Sequence, residues 1–402
     1  MGIERRTVQV MSVACAVSVA NLYYSQPLLA DIAQSLGAAG SRVAYLPMFT
    51  QAGTALGMLA FVPLGDMLPR RRLISIMCCA MACAGLLMAL APSLAVVNVA
   101  GFLTGLTTIV PHLVLPFAAK LADDKERGRV VGQVLGGLLT GILLARVVSG
   151  YVGDVLGWRA MYLIASASMF TLAVALHYLL PFDRPHADLS YGELLRSIGK
   201  LVAREPLLRE AALTGGMLFG AFSSFWATLV FFLGAAPYRY GARVAGLFGI
   251  VGLAGALIAP RAGRLTDRRG PAFTLTLAIL TTIASWVVFG LGGHILAVLI
   301  LGVVLLDLGV QAGHVANQTR IYALLPEARS RLNTVYMVSY FMGGAAGSAM
   351  GAWGWEHYGW TGVCVAGGTQ GVVALIVRMS GTKTQARLKN LCVTLGLFPP
   401  SE

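Results

Sequence analysis

Residues 263–270 read Gly263-Arg264-Leu265-Thr266-Asp267-Arg268-Arg269-Gly270, and an eroded copy lies 201 residues earlier as Val62-Pro63-Leu64-Gly65-Asp66-Met67-Leu68-Pro69. Arg70 and Arg71 follow the first copy, so an aspartate trailed by basic residues recurs at half the chain length. Two further pairs repeat at an offset of 202: Arg127-Gly128-Arg129 with Arg329-Ser330-Arg331, and Gly157-Trp158 with Gly359-Trp360. Internal symmetry at this period, in a very apolar chain of 402 residues, implies two membrane bundles facing one another about a central site.

The apolar character carries the second half of that inference. The chain is 57% hydrophobic and 12% charged, where soluble domains carry about 25% charged residues. Twelve apolar stretches are long enough to cross hydrocarbon as helices. They run over 7–30, 43–65, 73–91, 94–119, 130–152, 158–181, 207–233, 242–263, 272–293, 295–321, 332–354 and 361–379. None alternates in polarity as a barrel strand does. The expected fold is therefore an all-α integral membrane protein with twelve transmembrane helices in two pseudo-symmetric six-helix bundles. The expected parts are a first bundle at 1–181, a linker at 182–206 with a short surface helix, a second bundle at 207–380 and a tail at 381–402.

Charge sets the expected orientation. Of 30 Lys and Arg residues, 25 fall in alternate loops and both ends of the chain, leaving Arg42, Arg159, Arg239 and Arg243 on the other side and Arg146 within a span. Positive residues stay inside, so both termini are expected in the cytoplasm. The net charge of +13 is dispersed over short loops and matches an anionic inner leaflet, with no nucleic acid as partner. The first apolar run is too long for a cleavable signal. Five of the six cysteines lie in spans, which argues against a disulfide framework.

Two sets of helices differ in chemistry. Glycines three or four apart mark spans 2, 5, 8 and 11: Gly53 and Gly57; Gly132, Gly136, Gly137 and Gly141; Gly246, Gly249, Gly252 and Gly255; Gly343, Gly347 and Gly351. Small residues at this spacing let backbones approach, so these four spans are expected to form the interface between the halves. Polar side chains mark spans 1, 4, 7 and 10 instead: Asn21, Tyr23, Tyr24 and Gln26; His112; Ser223, Ser224 and Trp226; Asp307, Gln311, His314, Asn317 and Gln318. A polar cavity lined by this second set follows.

With these residues in view, the chain resembles the major facilitator superfamily. The run Gly263 to Gly270 is similar to the family's signature loop after span 8, and the degraded copy at Asp66 occupies its usual place after span 2. Val62, Met67 and Pro69 replace the expected glycine, arginine and second glycine of that copy. Span 4 lacks the arginine, and span 5 the Gly-Pro signature, of the drug:proton antiporter branch. The resemblance is nearest to bacterial drug or sugar efflux carriers. It implies proton-coupled efflux of a small molecule across the bacterial inner membrane by a monomer. It further implies a cytoplasmic gate of Asp66, Arg70, Arg71, Gly263, Asp267, Arg268 and Gly270, the aspartates capping helix N-termini and latching the halves in the outward-facing state. An uncoupled facilitator, an uptake symporter and a membrane sensor that transports nothing stand as alternatives.

Within the spans, Asp307 reads as the one deeply placed acid and Arg146 as the one cation. A rise of about 1.5 Å per residue puts Asp307 about 18 Å from the outer end of span 10. Holding a charge there costs roughly 2.5–3.5 kcal/mol, so a carboxyl that takes up and releases a proton is expected. Gln311 and His314 continue its helical stripe, as proton relay, substrate contact or polar glue. Arg146 can bind an anionic group, pair with Asp307 or snorkel outward. Tyr23, Tyr24, Trp226, Tyr336 and Tyr340 offer rings for stacking. The substrate and proton pathway is thus expected to use Asp307, Gln311, His314, Asn317, Arg146, Asn21, Tyr24, Gln26, His112, Trp226 and Tyr336. No hydrolase or nucleotide-binding motif is present, so no enzyme is expected; nor is any metal or cofactor, the proton gradient being the driving force.

Overall fold

The computed structural model describes residues 5–123, 126–183, 190–325 and 328–394; the side chains of Asp66, of residues 253–262 and of residues 382–394 lie outside that description. Every regular element among the described residues is an α-helix. Hydrocarbon offers the backbone no partner, and helices satisfy their N–H and C=O groups internally.

The first six spans are α1 (Arg5–Ala20) with α2 (Ser25–Ser35); α4 (Leu46–Phe61), flanked by the short α3 (Gly40–Val43) and α5 (Leu64–Met67); α6 (Arg70–Ala89); α7 (Leu94–Thr107) with α8 (Val110–Leu121); α9 (Arg127–Leu156); and α10 (Trp158–Leu179). After α11 (Tyr191–Arg204), spans 7 to 10 are α12 (Pro206–Gly234), α13 (Ala242–Arg269), α14 (Pro271–Gly292) and α15 (Leu296–Tyr322). The last two spans form α16 (Arg329–Thr394), which turns at Gly359 with φ 57° and ψ −144°. We call the end carrying Arg70–Arg72, Arg127, Arg268 and Arg329 the basic end, and the other the short-loop end.

The repeat is visible in hydrogen bonds. Arg127 Nε donates to the Ala119 carbonyl at 3.1 Å, and Arg329 Nε to that of Tyr322 at 3.1 Å. Trp158 Nε1 donates to Ser35 Oγ, and Trp360 Nε1 to the Phe289 carbonyl. Each tryptophan follows a glycine of positive φ, Gly157 or Gly359, where a side chain would be strained.

Spans 1 and 4 are not the continuous helices expected from their apolarity. Span 1 breaks at residues 21–24, where Asn21, Leu22 and Tyr23 donate backbone bonds three residues back. Pro27 follows, has no N–H to give and disfavours helix before it. Span 4 breaks at Thr108, three residues ahead of Pro111. These breaks put irregular backbone in the middle of two spans that sequence patterning assigns to the cavity.

The glycine rows need correction. The cross-half contacts do pair α4 with α16 and α9 with α13. Most of the glycines, however, face their own half. A Cβ on Gly53 or Gly57 would strike the backbone of Phe102 or Leu106 in α7; on Gly137 or Gly141, that of Ser12 or Ala16 in α1; on Gly343 or Gly347, that of Gly216 or Gly220 in α12. Gly132 and Gly136 have nothing within 4 Å. Only the α13 row crosses over, with Gly246 and Gly249 against Arg146 and Gly150 of α9. Close approach is used mainly to bind span 1 to span 5, span 2 to span 4 and span 7 to span 11.

Asp307 and Arg146 are not the only buried charges. Glu210, Arg320 and Arg378 are all buried, at the basic end of the second half. Glu210 Oε1 accepts from Arg320 Nη2 at 2.8 Å and from Arg378 Nη1 at 3.0 Å. One carboxylate thereby ties α12, α15 and α16 together. The sequence places these residues at span ends, which disguises them as loop charges.

Candidate functional site

Arg146 lies on α9, facing the second half, and is 3% exposed. Its Nε donates to Gln26 Oε1 at 2.7 Å, and Gln26 follows the break in span 1 directly. Its guanidinium carbon lies 3.9 Å from the Trp226 ring centre, 4.6 Å from that of Tyr23 and 5.9 Å from that of Phe222. Tyr23 belongs to the first half and the other two rings to α12, so both halves build the cage. A desolvated cation–π contact is worth about 2 kcal/mol. Three rings and one charge-assisted bond therefore offset burial of the cation, and the snorkelling expectation is wrong. Arg146 Nη2 still has no hydrogen-bond partner.

Asp307 sits on α15, 6% exposed, and its Oδ2 is likewise unpartnered. It lies within electrostatic range of Arg146 without a direct ion pair. Gly252 of α13 makes room for it, since a Cβ there would stand 3.2 Å from Asp307 Oδ1. Two buried groups of opposite charge, each with an orphan atom, therefore face the seam between the halves. Buried polar atoms are nearly always satisfied, and two orphan atoms of opposite charge at one seam, with Trp226 Nε1 also unpartnered beside Arg146, make this the candidate site.

Along α15 toward the basic end, Gln311 and His314 are half-buried. His314 Nδ1 and the Tyr336 hydroxyl share a hydrogen bond of 3.1 Å. The His314 ring lies 4.9 Å from that of Tyr340, which stacks on Phe219 at 4.1 Å. His112, half-buried on α8, acts electrostatically on His314 from the opposite half. These residues form a seam with Arg146 and Asp307 at its closed, short-loop side. The space beside Arg146, bounded by Gln26, Pro27, Trp226, Leu229, Val230 and Ala245, is about 10 Å³, room for about one water.

Other predicted pathway residues are placed elsewhere. Asn317 is fully buried inside the second half, donating to Thr214 Oγ1 at 3.2 Å and accepting from Arg320. Asn21 donates to the Val17 carbonyl at 2.8 Å and so secures the break in span 1. Tyr24 is buried but is not among the rings around Arg146. Sequence reasoning missed Phe219 and Phe222, although Phe219, Phe222 and Trp226 recur at 3 and 4 residues, one face of a helix.

At the basic end, the Arg70 amide donates to Asp183 Oδ1 at 2.8 Å, Arg70 Nε to the Gly65 carbonyl and Arg71 Nη1 to that of Leu180. These bonds stay within the first half. The Asp66 side chain lies outside the described residues. Asp267 and Arg268 are exposed, Gly263 is partly exposed, and Gly270 makes the turn into α14 with φ 84°. The halves touch at the opposite end, where Ser41 Oγ donates to Glu356 Oε1 at 3.1 Å and Gly40 packs on the Phe231 ring.

The chain has recognisable relatives. The sequence pattern of the Major Facilitator Superfamily matches residues 11–298. The uncharacterized transporter YgaY of Escherichia coli O157:H7 is 42% identical over 375 residues, 93% of this chain and 95% of that protein. A probable transporter of Streptomyces coelicolor is 36% identical over 359 residues, covering 89% of this chain and 83% of its own. Among solved structures, the nucleoside transporter NupG superposes with a TM-score of 0.75 at 14% identity, over 94% of this chain and 99% of that one.

Proposed function

The chain belongs to the Major Facilitator Superfamily and is a multi-pass membrane transporter of small molecules, and from that premise we propose proton-coupled efflux across the bacterial inner membrane. The observation that carries the coupling is Asp307, a buried carboxyl at the seam with one oxygen unpartnered. A neutral, protonated Asp307 suits that apolar position; an ionised one calls for a compensating cation. Protonation and solute occupancy are thus mutually dependent, the linkage an antiporter needs.

The two halves rock about the seam. In the state described, cross-half contacts at the short-loop end, with Arg146 bolted into rings of the other half, support closure on that side. Orientation of the basic end toward the cytoplasm follows the positive-inside rule. The state is then inward-facing. Asp66 and Asp267, with Arg70, Arg71 and Arg268, latch the basic end when the seam opens the other way. Outward direction and a monomeric carrier rest on the resemblance to efflux carriers.

The test is a solute panel screened by thermal shift at about pH 5.5 and about pH 8, so that a proton-linked solute shows a pH-dependent midpoint. The hit is followed in everted vesicles. Asp307→Asn is expected to abolish accumulation driven by a pH gradient while leaving solute exchange measurable. Normal accumulation in that variant would remove Asp307 from coupling.

A further inference from the structure

We propose that the seam recognises a small zwitterion with an aromatic or bulky apolar body, its anionic group on Arg146 and its ammonium on Asp307. The inference rests on the exchange role given to Asp307 above. Its own basis is geometric. Arg146 Nη2 and Asp307 Oδ2 are both buried and both unpartnered, with opposite charges. A purely cationic ligand would satisfy only the carboxylate and meet the guanidinium as a like charge. A purely anionic ligand would satisfy only Arg146. A neutral ligand would leave both groups with no direct ionic partner, only each other at a distance, a costly arrangement for buried ions.

Each ligand group then meets a group of matching chemistry. The anionic group accepts from Arg146 Nη2, whose Nε is already held by Gln26 and so aims the guanidinium. The ammonium donates to Asp307. The apolar body has Phe219, Phe222 and Tyr340, whose rings are stacked within 5.6 Å of Phe219. Gly249 and Gly252 let α13 lie close against both residues, since a Cβ at either would crowd Arg146 or Asp307.

Competition at one oxygen couples the solute to the proton. When the ammonium arrives, the proton on Asp307 leaves to water on the open side, and one positive charge replaces another. Among the described residues, the charged and titratable groups acting on Asp307 are Arg146 of α9, Tyr23 at the break in span 1 and Tyr340 of α16, and Gly252 of α13 packs against it. Ammonium and proton are the exchangeable partners of the carboxylate, while Arg146 stays in place as the anion site.

The test uses the purified full chain in detergent with three probes of one shape: phenylalanine, 2-phenylethylamine and 3-phenylpropionate. Phenylalanine is expected to bind at least about tenfold more tightly than either one-charge analogue, because each analogue leaves one buried group unpaired. Arg146→Gln is expected to reduce phenylalanine to the level of the amine, and Asp307→Asn to that of the acid. The analogue series on the unmodified protein stands even where a variant fails to fold. An analogue that matches phenylalanine within about threefold, or no binding by any probe, overturns the zwitterion class. The coupling is read separately from proton release on binding and from affinity at about pH 6 and about pH 8. Tight phenylalanine binding without either effect keeps the zwitterion class and removes the exchange role of Asp307. A pH-dependent response to the amine alone does the reverse.

Discussion

At the scale of single residues, what decides the weight of a charge is what surrounds it. Glu126 and Arg129 pair at 2.8 Å with side chains 44% and 68% exposed. Glu210 and Arg320 pair at the same distance with both side chains 5% exposed. Water screens the first pair, which is worth about 0–1 kcal/mol. In the second, removing the carboxylate leaves Arg320 and Arg378 buried around a missing partner, a loss of about 3–5 kcal/mol. Glu210→Gln is therefore expected to lower the thermal midpoint markedly in detergent, and Arg129→Ala hardly at all. Equal midpoints would mean that the triad is solvated and that its burial carries no energetic weight. Arg146 belongs to the same class as Glu210. Its options of snorkelling, pairing or binding an anion are indistinguishable in sequence, because the rings that hold it come from residues 23, 222 and 226. Only the tertiary fold brings those positions to one point.

At the scale of helices, the period of a pattern identifies which helix, and neighbours decide what the pattern does. The twelve spans and the repeat were legible because apolarity and spacing are properties of contiguous sequence. The breaks at Asn21–Tyr24 and Thr108 were half legible, since Pro27 and Pro111 stand where a continuous helix is penalised. The glycine rows misled for a physical reason: a glycine face records close approach without naming the partner. The substitutions that separate the cases are Gly343→Ala and Gly132→Ala. A Cβ at 343 runs into the backbone of Gly216, which cannot move aside without shifting α12, and overpacking of this kind costs about 1–3 kcal/mol. A Cβ at 132 meets nothing within 4 Å. Gly343→Ala is expected to lower yield and thermal midpoint, with Gly132→Ala indistinguishable from the parent. Loss of stability in Gly132→Ala would instead place a tight partner against the inner part of α9.

At the scale of the whole molecule, the contacts are asymmetric in a way the sequence symmetry does not suggest. The two helix pairs that meet across the seam, α4 with α16 and α9 with α13, are repeats of one another. Yet among the described residues the side-chain contacts named between halves, Ser41 with Glu356, Gly40 with Phe231 and Arg146 with its rings, lie on the short-loop side. A sequence with half-length symmetry encodes two end states and cannot say which one the chain occupies; the packing of Arg146 decides it here. If the halves part at that end during the cycle, tethering them there must trap the seam open to one side only. In a variant lacking the native cysteines, Ser41→Cys and Glu356→Cys joined by a short thiol cross-linker supply the tether. Gln311→Cys, half-buried on the stripe, reports access to an impermeant maleimide. Tethered protein is expected to label at 311 from the basic end alone, and untethered protein from both. A control tether inside the first half, Ala82→Cys with Ser166→Cys, joins residues already in contact and is expected to leave labelling from both sides. Labelling of the 41–356 tethered protein from the short-loop side would mean that solute reaches the seam without separation of these residues. Rocking about Arg146 would then be the wrong motion.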